Sequence, residues 1–167
     1  MSGNVYDFER QFNLGADGEN IIREVFGDRF VIRRSVALEQ HEGIDFWFSY
    51  GGFDIAVEVK TDFAAATTRN AFIETTSVDK DGKPGWAFTS RADFLLYCVP
   101  QNRMVYVMPM REIRRLLPQW RKKYELRRVQ NDGYYTEGLL VPLDQLNCRV
   151  LPVLGTAAEA FRASRKR

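Results

Sequence analysis

Residues 43–60, GIDFWFSYGGFDIAVEVK, constrain this chain more than any other stretch. They alternate around a Gly51-Gly52 pair, the pattern of two strands joined by a two-residue primed turn. With that turn, Tyr50 faces Phe53, Phe48 faces Ile55, Phe46 faces Val57 and Asp45 faces Glu58. Strand side chains alternate between faces. One face therefore carries Phe46, Phe48, Tyr50, Phe53, Ile55, Val57 and Val59, and must be buried. The other carries Asp45, Trp47, Ser49, Asp54, Ala56, Glu58 and Lys60. A one-residue slip would mix the two sets, so the pattern specifies the register.

This register sets Asp45 opposite Glu58, with side-chain roots roughly 5 Å apart. Two carboxylates that close repel unless one is protonated or a cation lies between them. Lys60, on the same face, is one candidate cation. A divalent metal is the other, and magnesium is commonly held by one or two carboxylates, waters and substrate phosphates. A solvated hairpin face bearing Asp, Glu and Lys is the plain alternative.

Helices and strands are mixed along the rest of the chain. Residues 17–26, DGENIIREVF, predict a helix capped by Asp17, with Ile21, Ile22, Val25 and Phe26 as its apolar stripe. A short helix is expected around Tyr6–Phe12. Strands are expected near 29–36, 70–76, 93–99 and 103–108. Residues 77–86, SVDKDGKPGW, read as a polar loop. Helices are predicted over 110–117 and 119–128, broken at Pro118. The pattern implies an α/β or α+β class around one central sheet.

The 167 residues suffice for a single domain, 1–167, with a real core. No apolar run reaches membrane-spanning length, and MSGNVYDFERQF lacks the basic-then-apolar order of a signal peptide. An intracellular, cytoplasmic protein without a membrane partner is the expectation. Cys98 and Cys148 are too few for a disulfide framework or a zinc site and are read as reduced. His41 is the only histidine, which leaves little room for a nucleophilic triad.

Charge is distributed unevenly although the net is only +2. The basic helical region 111–128, REIRRLLPQWRKKYELRR, carries eight cations against Glu112 and Glu125. Arg114, Arg115, Arg121, Lys122 and Lys123, with Trp120 and Tyr124 among them, suit phosphate contacts and base packing. The basic tail, 157–167, adds four cations in FRASRKR. A solvated helix face is the alternative. Lys80 and Lys83 in the 77–86 loop are further candidates.

Asp45 followed by Glu58-Val59-Lys60 at the end of the next strand resembles the PD-(D/E)xK nuclease superfamily. That superfamily includes restriction endonucleases, Holliday junction resolvases and phage recombination nucleases. Gly43-Ile44 stands where the motif nominally has Pro. A preceding helix carrying Glu19, the following NAFIETT strand and the later SRADFLLYCV segment extend the resemblance over roughly residues 15–110. It implies an α/β, restriction-endonuclease-like fold, a mixed central sheet flanked by helices. It implies a metal-dependent endodeoxyribonuclease using Mg2+, for which Mn2+ would substitute. Asp45, Glu58 and the Val59 carbonyl would bind the metal, and Glu19 would reach it directly or through water. Lys60 would orient the attacking water, a salt bridge to Glu58 or Asp45 being the alternative. DNA is the implied partner. Structure-specific cutting in recombination or repair, by a homodimer like the resolvases, is the implied role. An inactive nuclease-fold module that holds DNA or protein is the second reading. Glu74 stays open between the site and an exposed strand face, while Asp62 is expected at the loop surface.

Overall fold

The hairpin forms in the expected register. In this computed structural model, which describes residues 18–153, β2 (Phe46–Tyr50) pairs with β3 (Phe53–Thr61) as Tyr50–Phe53, Phe48–Ile55 and Phe46–Val57. Gly51 and Gly52 have φ of +59° and +83°, the two left-handed positions that a type I′ turn needs. The apolar face is buried except at its tip. Tyr50 and Phe53 are 67% and 76% exposed because the tip carries no helix over it. Phe30 packs beside Tyr50, ring centroid to ring centroid at 5.9 Å.

Around the hairpin grows a six-stranded sheet of order β1-β2-β3-β6-β7-β10. Its members besides the hairpin are β1 (Val31–Arg34), β6 (Phe94–Val99), β7 (Met104–Pro109) and β10 (Arg149–Pro152). β3 and β6 run parallel and every other pair is antiparallel, so the sheet is mixed. The continuous apolar run of β6, FLLYCV, is what a strand covered on both faces requires. Leu96 and Cys98 pack with Ile22, Phe46, Phe48 and Val57, under helix α1 (residues 18–26). Leu95, Tyr97 and Val99 pack into the core on the other side. Burial pushes the Cys98 thiol up to about 12, so it stays protonated. Cys98 and Cys148 are both free, as read from the sequence.

The second core separates this sheet from a four-stranded antiparallel one, where a single sheet had been expected. The order is β5-β4-β9-β8, from β4 (Asn70–Val78), β5 (Lys83–Pro84), β8 (Leu126–Gln130) and β9 (Tyr135–Pro142). Ala71, Ile73, Leu139 and Val141 form its buried face. The segment expected as a polar loop therefore holds a strand, Lys83 pairing with Val78. Residues 124–128 are not helical, because β9 recruits Leu126–Gln130 into its ladder. Between these elements lie three short helices, α2 (Ala37–His41), α3 (Ala65–Thr68) and α4 (Trp86–Thr89).

Helix α5 (Met110–Lys123) runs unbroken through Pro118. Ile113, Leu117 and Trp120 are buried on one side, while Pro118 is exposed. The carbonyl of Arg114, which loses its donor, lies on the solvent side where water can replace it. The expected Tyr6–Phe12 helix, the Asp17 cap and the basic tail fall outside the described residues. Among the described residues no helix is long and apolar enough to cross a membrane.

One polar tie joins the sheets beside the end of β3. The Tyr97 hydroxyl donates to Asp62 Oδ2 and accepts the Phe72 N–H at 2.9 Å. Asp62 Oδ1 accepts the Ala65 N–H at 2.9 Å, at the start of α3. Asp62, expected at the loop surface, is thus a half-buried joint between β3, β4 and β6. Burial first, and then Asp62, hold the Tyr97 phenol protonated far above its usual range. Tyr97→Phe leaves the Phe72 N–H without its acceptor. Chemical denaturation should show a loss of about 1–3 kcal/mol, and an unchanged midpoint would remove the tie from the account of how the sheets are held.

Candidate active site

The acidic and lysine residues singled out in the sequence divide around the C-terminal end of β3: Lys60 and Glu74 line a cleft on the side of the second sheet, while Glu19, Asp45 and Val59 line a small cavity on the α1 side. Alternation sends Val57 and Val59 toward α1, and Glu58 and Lys60 toward the second sheet. Glu58 is only 2% exposed. Its Oε1 accepts the Lys60 Nζ at 2.8 Å, while its Oε2 has no hydrogen-bond partner. A buried acceptor without a donor is costly, and a cation or an ordered water is what commonly satisfies one.

Asp45 reaches this point by leaving the ladder. The last regular pair is Phe46–Val57, and the Asp45 N–H donates to the Val57 carbonyl at 2.8 Å instead of continuing to Glu58. The side chain takes the next rung, Oδ2 accepting the Val59 N–H at 2.7 Å. The expected direct cross-strand pairing of Asp45 with Glu58 is therefore replaced by a carboxylate clasping the backbone between Glu58 and Lys60. Gly43 makes the approach possible. It has φ of +73°, and an added Cβ would lie 2.9 Å from the Ser90 Cα. Ser90, itself buried, donates its hydroxyl to the Gly43 carbonyl at 2.9 Å.

Glu19 comes in from α1. Gly18 packs so closely on Thr61 that a Cβ would meet its Oγ1 at 2.4 Å, which sets the first turn of the helix against the end of β3. Glu19, Asp45, Val59 and Thr61 line one small cavity of about 160 Å³. Glu19 Oε1 is held there by Arg34 at 2.8 Å.

Glu74, left open by the sequence, belongs to the same neighbourhood. It faces a larger cleft of about 810 Å³ that Lys60, Asp62, Phe72 and Trp86 also line. Its Oε1 accepts the Trp86 N–H at 3.3 Å. Burial raises its pKa, Lys60 opposes the rise, and Glu58 adds to it. For Lys60, burial pulls the pKa down, but Glu58, Asp45 and Glu74 outweigh it and hold the ammonium above its usual range. Three carboxyl groups share one ammonium, so the cluster is short of positive charge. That shortfall and the free Glu58 Oε2 fit a divalent cation. Among the described residues no three His, Cys, Asp or Glu side chains form a ready cage, so protein donors alone would not complete its coordination.

The basic residues divide differently from the sequence expectation. Arg114 donates to the carbonyls of Ala87, at 3.3 Å, and Ser90, and so ties α5 to the end of α4. Arg115 pairs with Glu112 at 2.8 Å. Arg121 lies over the Phe88 ring at 5.4 Å and Lys123 over Tyr124 at 5.1 Å, while Lys122 is exposed. None of these five lines the larger cleft; its arginines are Arg127 and Arg128 of β8. Both were in the basic run, but the helix reading of 119–128 concealed that they sit on a strand across from Lys60. His41 ends α2 at the surface.

No family model matches the chain, and no curated protein matches it. Among solved structures it is similar to a bacterial homing endonuclease, I-Ssp6803I, at 14% identity and a TM-score of 0.49, covering 94% of this chain and 97% of that one. The chemistry of the site, not this distant likeness, carries the functional reading.

The ion pair has a measurable consequence. Lys60→Met leaves Glu58 buried without its donor and should cost about 1–3 kcal/mol at neutral pH. The Lys60 pKa is raised, so the pair stabilises the fold below the usual lysine range and its benefit fades as strongly alkaline pH deprotonates the amine. Urea titrations of both proteins across pH should converge at the alkaline end. A gap that widens there would contradict the assigned charge state.

Proposed function

We propose that this protein is a metal-dependent endodeoxyribonuclease of the PD-(D/E)xK type that hydrolyses DNA phosphodiester bonds. The observation that carries the reading is Glu58, a buried carboxylate with one oxygen on Lys60 and the other without a partner, inside a cluster short of positive charge. Asp45 and Glu58 would hold Mg2+, or Mn2+ in its place. The Val59 carbonyl is the third donor of the proposal, since a residue's N–H and C=O leave a strand on the same edge and the Val59 N–H goes to Asp45. Waters and a substrate phosphate would complete the set, as is usual for magnesium. When bound, the cation supplies charge neutralisation on the phosphate oxygens and a more acidic water.

The chain's own groups supply the rest. Lys60 remains charged and stands next to the carboxylates, where it would orient a water or stabilise charge growing on the phosphate. Asp45 is fixed by the Val59 N–H and Glu58 by burial, so neither must reorganise when substrate arrives. Glu19, which Arg34 pairs, would accept from water on the α1 side. The half-buried Glu74 would do so from the second sheet.

Structure-specific cutting, of the kind a junction resolvase performs in recombination or repair, is the finer reading, and a homodimer would serve it by bringing two such sites to two strands. An inactive DNA- or protein-binding module is the alternative, against which the complete Asp45, Glu58 and Lys60 set argues.

A panel of duplex, single-stranded, flapped and four-way DNA, with and without Mg2+, tests the activity. Cutting should require the metal. Glu58→Gln and Asp45→Asn should abolish Mn2+ binding in calorimetry together with cleavage, and Lys60→Met should lower kcat by about 100-fold or more while Mn2+ still binds. Cleavage by Asp45→Asn at the wild-type rate would move the chemistry elsewhere.

A further inference from the structure

The cleft in front of Lys60 has a second wall, of which the catalytic reading uses only Glu74. Register places Glu74 opposite Gly138, and Gly138 opposite Arg127, across three adjacent strands. Directly opposed residues share a face, so Glu74 and Arg127 look into the same space, two strand spacings or roughly 10 Å apart. Between them lies an aromatic floor. A Cβ on Gly138 would fall 2.5 Å from the Phe72 Cζ, so the ring of Phe72 occupies the room that the glycine leaves. Phe72 is half-buried and lines the cleft with Arg127 and Lys60.

The two arginines of this wall differ in how firmly they are held. Arg128 pairs with Asp79 and Glu137, each at 2.9 Å, and lies over the Tyr135 ring at 4.7 Å. Its place is structural. Arg127 has an ion pair with Glu125 at 3.3 Å, both side chains being more than half exposed. A pair of that kind is worth little and is readily exchanged for another anion. The cleft volume, about 810 Å³, is of the size that takes a small-molecule ligand, roughly 300–1,000 Å³, and is too small to seat a duplex.

We propose that this cleft seats an unpaired nucleotide of the substrate strand, with its phosphate on Arg127 and its base on the Phe72 ring, beside Lys60. A guanidinium for the backbone and an aromatic face for the base is the combination that holds single-stranded nucleic acid without sequence preference. The seat deepens the nuclease reading by naming its substrate as DNA with an unpaired segment, and it rests on that reading only for the cutting step.

Binding of a fluorescent oligothymidylate, in Ca2+ and at several salt concentrations, tests it. Arg127→Ala should weaken binding about tenfold and lower the salt slope by about 0.7, one phosphate contact on a single strand. Arg127→Lys should restore the slope. Phe72→Leu should cost about 5- to 150-fold, the worth of one stacked base, and Phe72→Tyr should keep wild-type affinity. Arg149→Ala, on the far edge strand β10, should change nothing. Equal binding by wild type and Arg127→Ala, or preference for blunt duplex over oligothymidylate, overturns the seat. Metal-dependent cutting of duplex unaffected by either cleft substitution leaves the nuclease standing without the seat. Arg127-dependent binding with no cutting at all leaves the seat standing without the nuclease.

Discussion

Glu58 lies in a strand that is paired on both sides and covered on both faces, and its side chain ends in a carboxyl group. β3 pairs with β2 on one edge and with β6 on the other, and Ala56, Val57 and Glu58 are all buried there. A carboxylate in such a place is tolerated only when it is paired. Lys60, two residues on and on the same face, provides that pairing while its ammonium still reaches the cleft. The pair determines what else can happen around it. It draws Asp45 and Glu74 into the range of one ammonium and leaves one buried oxygen unmatched.

The surroundings keep this unbalanced cluster in position. Gly43 lets the chain pass against Ser90, so Asp45 arrives one rung past the last regular pair and bonds the backbone at Val59. The Tyr97–Asp62 tie closes the gap between the sheets just beyond Lys60. α1 seals the opposite side through Ile22 and brings Glu19 with it. Each contact is ordinary by itself. Together they hold Asp45, Glu58 and Glu74 within range of one ammonium.

Two parts of the basic stretch departed from the sequence reading, one through long-range pairing and one through solvent exposure. Residues 124–128 carry good helix formers and lie directly after a helix, yet Leu126–Gln130 form a strand because β9 offers a ladder. Pro118 looked like a break, yet it sits on the exposed side of α5, where the lost backbone bond goes to water. The consequence reaches the site. With 119–128 read as helix, the arginines of that stretch belonged to a basic helical surface. On strand β8, Arg127 and Arg128 instead line the cleft that Lys60 enters.

The hairpin was legible in the sequence because its information is local. Period-two alternation and two adjacent glycines specify turn, register and faces, and the structure keeps them from Phe46 to Val57, while Asp45 leaves the ladder. The strand near 93–99 was likewise legible from its local apolar run, and the structure has it at Phe94–Val99. The closeness of Asp45, Glu58 and Lys60 followed from that register. What required the tertiary structure was everything set by contacts between distant segments. The second sheet arises only when β4 meets β9, some seventy positions later. Glu74 joins the cluster because that sheet packs over β3, and Asp62 becomes a joint because Tyr97 lies beside it. No local pattern encodes these, since a strand shows which of its faces is apolar but not what will lie against it.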